Sequence, residues 1–154
     1  MNVKVKISEL IGTVFFIGKL PLAPGTWGSA FALLIWYFIS PSIESPLFLL
    51  ITLVLFFIGV AVSQVLIDDW KEDDPSVIII DEWVGQWIGL WLVPHDIVWG
   101  LVSFFWFRVF DILKPGPVQK MDDIKSGIGV MMDDAVAGIL ALFMTHSLYY
   151  FWTS

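Results

Sequence analysis

Five carboxylates and two cations stand in a setting that has little room for charge. Asp81 and Glu82 lie in "VIIIDEWVGQWIG", Arg108, Asp111 and Lys114 in "SFFWFRVFDILKP", and Asp133 and Asp134 in "SGIGVMMDDAVAG". An ionised side chain in hydrocarbon is costly and needs a partner or a ligand. Adjacent acids after four β-branched apolar residues, as at 81 and 82, are costly twice over. Arg108 and Asp111 fall at i and i+3 on one helical face, with Lys114 three residues on. Five anions brought together in low dielectric repel one another unless a cation lies between them. Oxygen donors without His or Cys suit Mg²⁺ or a similar hard ion rather than zinc. Arg108 would then grip phosphate as a planar fork and Lys114 as a point charge.

A second source of phosphate contacts is "LAPGTWGSA", residues 22–30, which offers Gly25, Thr26, Gly28 and Ser29 immediately before an apolar helix. Free backbone N–H groups at a positive helix end, with two hydroxyls, can cradle an oxyanion. Gly129, in the two-glycine loop before Asp133, extends that set. The sum is a metal-dependent phosphate site. Plainer roles compete at each cluster. Thr26 or Ser29 could be an N-cap, Asp133 and Asp134 could favour a helix dipole in a first turn, and Arg108 with Asp111 could be a salt bridge. Gly85 and Gly89, at i+4 and i+8 from Asp81, form a small-residue face that lets helices approach and turns Asp81 toward a neighbour. Trp83, Trp87 and Trp91 make a separate structural stripe. Met131, Met132 and the phenylalanines at 104, 105 and 107 read as packing or lipid contact, and His95 and His146 as structural.

The elements that must position these groups are helices in a membrane. The chain has 154 residues, 58% of them hydrophobic, nine Trp and a mean hydropathy of +0.83, well above the usual apolar share of about 45–50% in soluble domains. The charge-free run at 46–67 matches a spanning helix. Further apolar helices are expected from about 28 to 40, 77 to 93, 97 to 113 and 135 to 152, with "PHD" at 94–96 as a tight turn. The fold class is therefore all-α, a polytopic integral membrane bundle of about five membrane-embedded helices, some short, forming one domain over 1–154. With the N-terminus inside, Lys4, Lys6, Lys19, Lys71, Arg108, Lys114, Lys120 and Lys125 all fall on the cytoplasmic side, as do all carboxylates except Glu44 and Asp96. No cleavable signal peptide is evident. The absence of cysteine excludes disulfides, thiolate metal sites and Cys-nucleophile phosphatases. A net charge of -7 argues against nucleic acid as a partner. Oligomeric state is not encoded in any pattern of the chain.

"PGTWGS" (24–29), "DEWVGQWI" (81–88), "FRVFDILKPGPV" (107–118) and "GIGVMMDDAVAG" (127–138) resemble, in order and spacing, the four motif blocks of bacterial phosphatidylglycerophosphatase A. The resemblance covers nearly all of the chain after residue 20. It implies a Mg²⁺-dependent lipid phosphatase of the bacterial inner membrane, converting phosphatidylglycerophosphate to phosphatidylglycerol and phosphate. It also implies that Asp81, Glu82, Asp111, Asp133 and Asp134 hold the metal, directly or through water, while Arg108, Lys114, Thr26, Ser29 and the glycine amides hold phosphate. In-line attack by a metal-activated water is the expected mechanism. Covalent attack by an aspartate has less support, because the D-x-D-x-[TV] signature is missing. The rival reading is a small transporter or ion channel whose acids line a conduction path. Against it, the acids gather at one end of the bundle.

Overall fold

The computed structural model describes residues 2–154. Seven α-helices account for most of them, with no strand among the described residues: α1 Val3–Gly12, α2 Pro24–Ile39, α3 Ser45–Trp70, α4 Ile80–Leu90, α5 Ile97–Leu113, α6 Gly116–Asp122 and α7 Gly127–Thr153. Local chemistry sets many of their ends. Pro24 opens α2 and Pro46 lies in the first turn of α3, where a missing N–H costs nothing. Asp96 caps α5 by accepting from Val98 N at 2.7 Å, and Ser126 is the N-cap of α7. Lys71 and Lys114 end α3 and α5 in the left-handed conformation.

The all-helical expectation holds, and two helices, α3 and α7, are long and apolar enough to cross a membrane. The others are shorter. The helix expected over 77–93 is only the 11 residues of α4, about 16 Å of rise, so it does not nearly span as expected. Its missing start is a segment held by backbone contacts. Ile79 N donates to Gly12 O at 2.9 Å, and a Cβ at Gly18 would lie 2.0 Å from Val77 O. Residues 2–20 thus have a structural role that the motif blocks do not reveal. They form α1, which packs on α3, followed by a reversal in which Val14, Phe15 and Phe16 all have positive φ. Three such residues in a row are strained; Thr13 Oγ1 offsets this by accepting from Phe16 N at 3.0 Å.

The centre of the bundle is the pair α4 and α7. Helix α4 also packs against α2, α3 and α5, and α7 against α3, α5 and α6. Ala141 of α7 is fully buried in this seam against Gly89, and Ala137 is fully buried beside Phe107 of α5 and Val118 of α6. The outer faces are apolar: Leu50, Leu53, Val54 and Phe57 on α3, Leu101 and Phe105 on α5, and Phe143 on α7 are all exposed. A water-soluble bundle puts polar side chains there.

Candidate active site

The acids meet because α4 and α7 touch through glycine. A Cβ at Gly138 would lie 2.3 Å from Gly85 O, and one at Gly85 would lie 2.6 Å from Asp134 O. One turn before each glycine on its own helix stands an aspartate, Asp81 before Gly85 and Asp134 before Gly138. The close crossing therefore sets two buried carboxylates face to face, 7% and 2% exposed. Glu82 joins them, and one oxygen from each of the three lies within 4.8 Å of the others. Asp81 Oδ1, Glu82 Oε2 and Asp134 Oδ1 are buried without a hydrogen-bond partner. Unpaired buried carboxylates are among the costliest groups a fold can hold.

The other two expected acids are engaged differently. Asp111 Oδ2 pairs with Arg108 Nη1 at 2.5 Å. Asp133 Oδ2 accepts from Lys114 Nζ at 2.8 Å, and its Oδ1 accepts from Asp134 N at 2.9 Å. The structure thus divides the expected five-acid cluster into three unpartnered carboxylates and two held by cations. It also assigns Asp133 and Asp134 to the second turn of α7, not the first, which removes helix capping as their explanation. Arg108 and Asp111 do form the salt bridge that was the plainer reading, yet Arg108 Nε is buried with no acceptor. Its guanidinium keeps a donor for an anion.

These groups line one cavity of about 280 Å³, together with Ala23, Pro24, Gly25, Asp74, Ser76 and Ile78. Lys114 stands at its edge, clamped between Asp133 and Asp122. Burial works against the Lys114 ammonium, but the hydrogen bonds and charges of the two aspartates outweigh it and hold its pKa above that of a free lysine. For Asp122, partial burial pushes the pKa up, while the hydrogen bond and charge of Lys114 bring it net below the ordinary value.

The glycine and hydroxyl set fares unevenly. The motif "PGTWGS" is the first turns of α2 and not a loop before it. Gly25 lines the cavity. Thr26 is exposed and does not line it. Ser29 donates to Gly25 O at 2.8 Å and meets Arg108 Nη1 at 3.4 Å, so its hydroxyl orients the arginine. Gly28 packs on Ile79, and Gly129 packs on the carbonyl of Ile124, where a Cβ would lie 1.7 Å away. Both glycines make close packing contacts, and neither lines the cavity. Sequence reasoning missed Asp74, Ser76 and Asp122. The only signal was the acidic run "KEDD" at 71–74, which looks like a solvated loop.

The family model for phosphatidylglycerophosphatase A matches residues 10–149. The chain belongs to this family. Two similar proteins are named phosphatidylglycerophosphatase A: one from Haemophilus influenzae is 33% identical over 92% of this chain and 88% of its own, and one from Escherichia coli is 32% identical over 94% and 84%. A Bacteroides thetaiotaomicron protein, provisionally named phosphatidylinositol-3-phosphatase, is 42% identical over 88% and 89%. No solved structure matches. Family membership makes the protein a phosphoric monoester hydrolase and sets aside the transporter reading. The cavity is the natural seat for that chemistry, with three carboxylate oxygens lacking a positive partner and one guanidinium N–H lacking a negative one.

Proposed function

We propose that this phosphatase hydrolyses phosphatidylglycerophosphate with the help of Mg²⁺, from a multi-pass position in the bacterial inner membrane with its active site toward the cytoplasm. The observation that carries the reading is the complementary pair of vacant valences in one cavity. Asp81, Glu82 and Asp134 present unpaired oxygens and Arg108 an unpaired donor, which is what a divalent cation with a phosphate beside it would satisfy. An all-oxygen donor set without His or Cys suits Mg²⁺. Arg108 and Lys114 line the cavity, Lys71, Lys120 and Lys125 lie within a few residues of Asp74 or Asp122 along the chain, and the connections at 40–45 and 91–96 carry no Lys or Arg. That asymmetry supports the cytoplasmic orientation, and the apolar outer faces support immersion in lipid.

Asp81, Glu82 and Asp134 would hold the cation, which supplies charge neutralisation and a more acidic water at the site. Arg108 binds the non-bridging phosphate oxygens, kept in plane by Asp111 and Ser29. Lys114, tied by Asp133 and Asp122, places a second positive charge at the rim. A water oxygen bonds to phosphorus as the bond from phosphorus to the glycerol oxygen breaks. The departing oxygen takes up a proton to give the alcohol, and inorganic phosphate is the other product. A lipid substrate can leave its acyl chains in hydrocarbon while the headgroup reaches the cavity.

The second reading is hydrolysis of phosphatidylinositol 3-phosphate, suggested by the name of the Bacteroides relative. Buried acids at the base of a small cavity favour a primary phosphate on a flexible glycerol over a phosphate set on a rigid ring. The deciding experiment is phosphate release by purified protein from each lipid, with Mg²⁺ and with chelator. Metal-dependent turnover of the glycerol lipid is expected. Equal rates with chelator, or a preference for the inositol lipid, would overturn the corresponding half of the proposal.

A further inference from the structure

We infer that Gly85 and Gly138 are positioning residues for the metal, a backbone spacer that fixes the distance between Asp81 and Asp134. The inference rests on the cation site proposed above, and it assigns a role to residues that touch neither metal nor substrate. Packing alone is the simpler account of a small-residue seam. Three observations favour the stronger one.

Each glycine lies against the backbone of the other helix. A Cβ on Gly138 would sit 2.3 Å from Gly85 O and 3.0 Å from Gly85 C, and a Cβ on Gly85 would sit 2.6 Å from Asp134 O. All of these are backbone atoms, which cannot rotate away, so a side chain at either position drives α4 and α7 apart; at Gly85 the fully buried ring of Phe107 on α5, also 2.6 Å from that Cβ, resists as well. Each glycine also lies one helical turn after a carboxylate that is more than nine-tenths buried and has an unpartnered oxygen. A widened crossing is therefore felt directly at the ligand atoms. Finally, the same seam relaxes away from the site. At Gly89, one turn further along α4, a Cβ would find its nearest atoms at 3.2, 3.4 and 3.5 Å, the closest being the Ser103 hydroxyl. The tight contact is confined to the turn beneath the acids. Short carboxylates on two helices can share one ion only if the backbones come this close, and a hard cation tolerates little change in ligand distance.

The test is Mn²⁺ binding to the purified, detergent-solubilised full chain, measured by electron paramagnetic resonance alongside thermal unfolding. Gly138→Ala and Gly85→Ala should each weaken Mn²⁺ at least ~10-fold, the scale seen when supports of metal ligands are removed. The Mg²⁺ needed for half-maximal rate should rise in parallel, with part of the rate recovered at high Mg²⁺. Gly89→Ala should bind Mn²⁺ as wild type does. A seam that only packs would lower the unfolding temperature and the rate while leaving Mn²⁺ affinity unchanged, and that result overturns the inference. A variant that does not fold is replaced by Asp81→Glu, which leaves the seam intact. A rigid spacer makes the added methylene overfill the site and weakens Mn²⁺ by a similar factor, whereas wild-type affinity in Asp81→Glu would show that the spacing is not fixed. Wild-type protein that binds no Mn²⁺ would instead remove the metal site itself, a separate failure.

Discussion

Buried polar groups at the two ends of the bundle meet different fates. Away from the cavity they close on the protein. Ser103 donates to Gly89 O at 2.8 Å and Trp87 Nε1 to Ala32 O at 2.9 Å, and the ring nitrogens of exposed His95 and half-buried His146 likewise lie within 2.6–3.2 Å of the carbonyls of Tyr37, Leu142 and Leu92. At the cavity end, Asp81, Glu82, Asp134 and Arg108 each keep a buried atom unpaired. Ser63, Gln86 and Thr145 also leave an oxygen without a partner, but these are neutral groups, for which the penalty is much smaller than for an ion. The contrast separates polar residues that build the fold from charged ones that the fold tolerates for a ligand. It also explains why both histidines, despite their chemistry, belong to the first class.

The largest effect that could break this contrast is expected from Asp134→Asn. If Asp134 serves a cation and no protein group, the amide should cost several kcal/mol of transition-state stabilisation, ~1,000-fold or more in rate. The same substitution should raise metal-free thermal stability, because one of three crowded buried carboxyl groups is gone. About 1 kcal/mol of relief would appear as roughly 2–4 °C in a chain of this size. A fall in metal-free stability would show that the carboxylate has a structural partner and belongs with the other end of the molecule.

Arg108→Lys comes next. The charge beside Asp111 survives, so stability should change little, but an ammonium cannot keep both the Asp111 pair and the further donors of a planar guanidinium. Loss of about 100-fold in kcat/KM is expected, the scale of a removed oxyanion donor. Near wild-type turnover in folded Arg108→Lys would reduce this arginine to the salt bridge it visibly makes.

Much of this site was legible in the sequence because charge in an apolar background is conspicuous: all five acids, Arg108 and Lys114 do converge on one cavity. What stayed hidden depends on backbone paths that no periodicity records. Residues 77–79 read as helix by hydrophobicity, yet contacts with Gly12 and Gly18 hold them out of α4. Nothing in the sequence singles out Asp74 and Asp122, because only the folded loop and α6 bring them to the cavity and to Lys114. The division of the acids into free and ion-paired sets was equally out of reach. It depends on side-chain geometry across three helices, and spacing along one helix cannot supply that.

The smallest effects sharpen the comparison within a single turn, at the neighbours Gly25 and Thr26. From the sequence both belong to one phosphate-binding motif, so truncating Thr26 ought to matter. In the folded chain Thr26 is exposed and off the cavity, whereas a Cβ on Gly25 would lie 2.2 Å from Glu82 Oε1 and 3.2 Å from Arg108 Nη1. Those are side-chain ends and can move, so Gly25→Ala should fold. It would do so by displacing the two groups that face the ligands, with a loss of about 10-fold in kcat/KM and a weaker apparent affinity for Mg²⁺. Thr26→Ala should stay within about twofold of wild type in rate and stability, as surface changes do. Steady-state kinetics on the two variants at several Mg²⁺ concentrations would check both. If Thr26→Ala proved the more damaging, the exposed hydroxyl would be contacting the substrate headgroup, and the polar site would extend beyond the cavity onto the outer surface of α2.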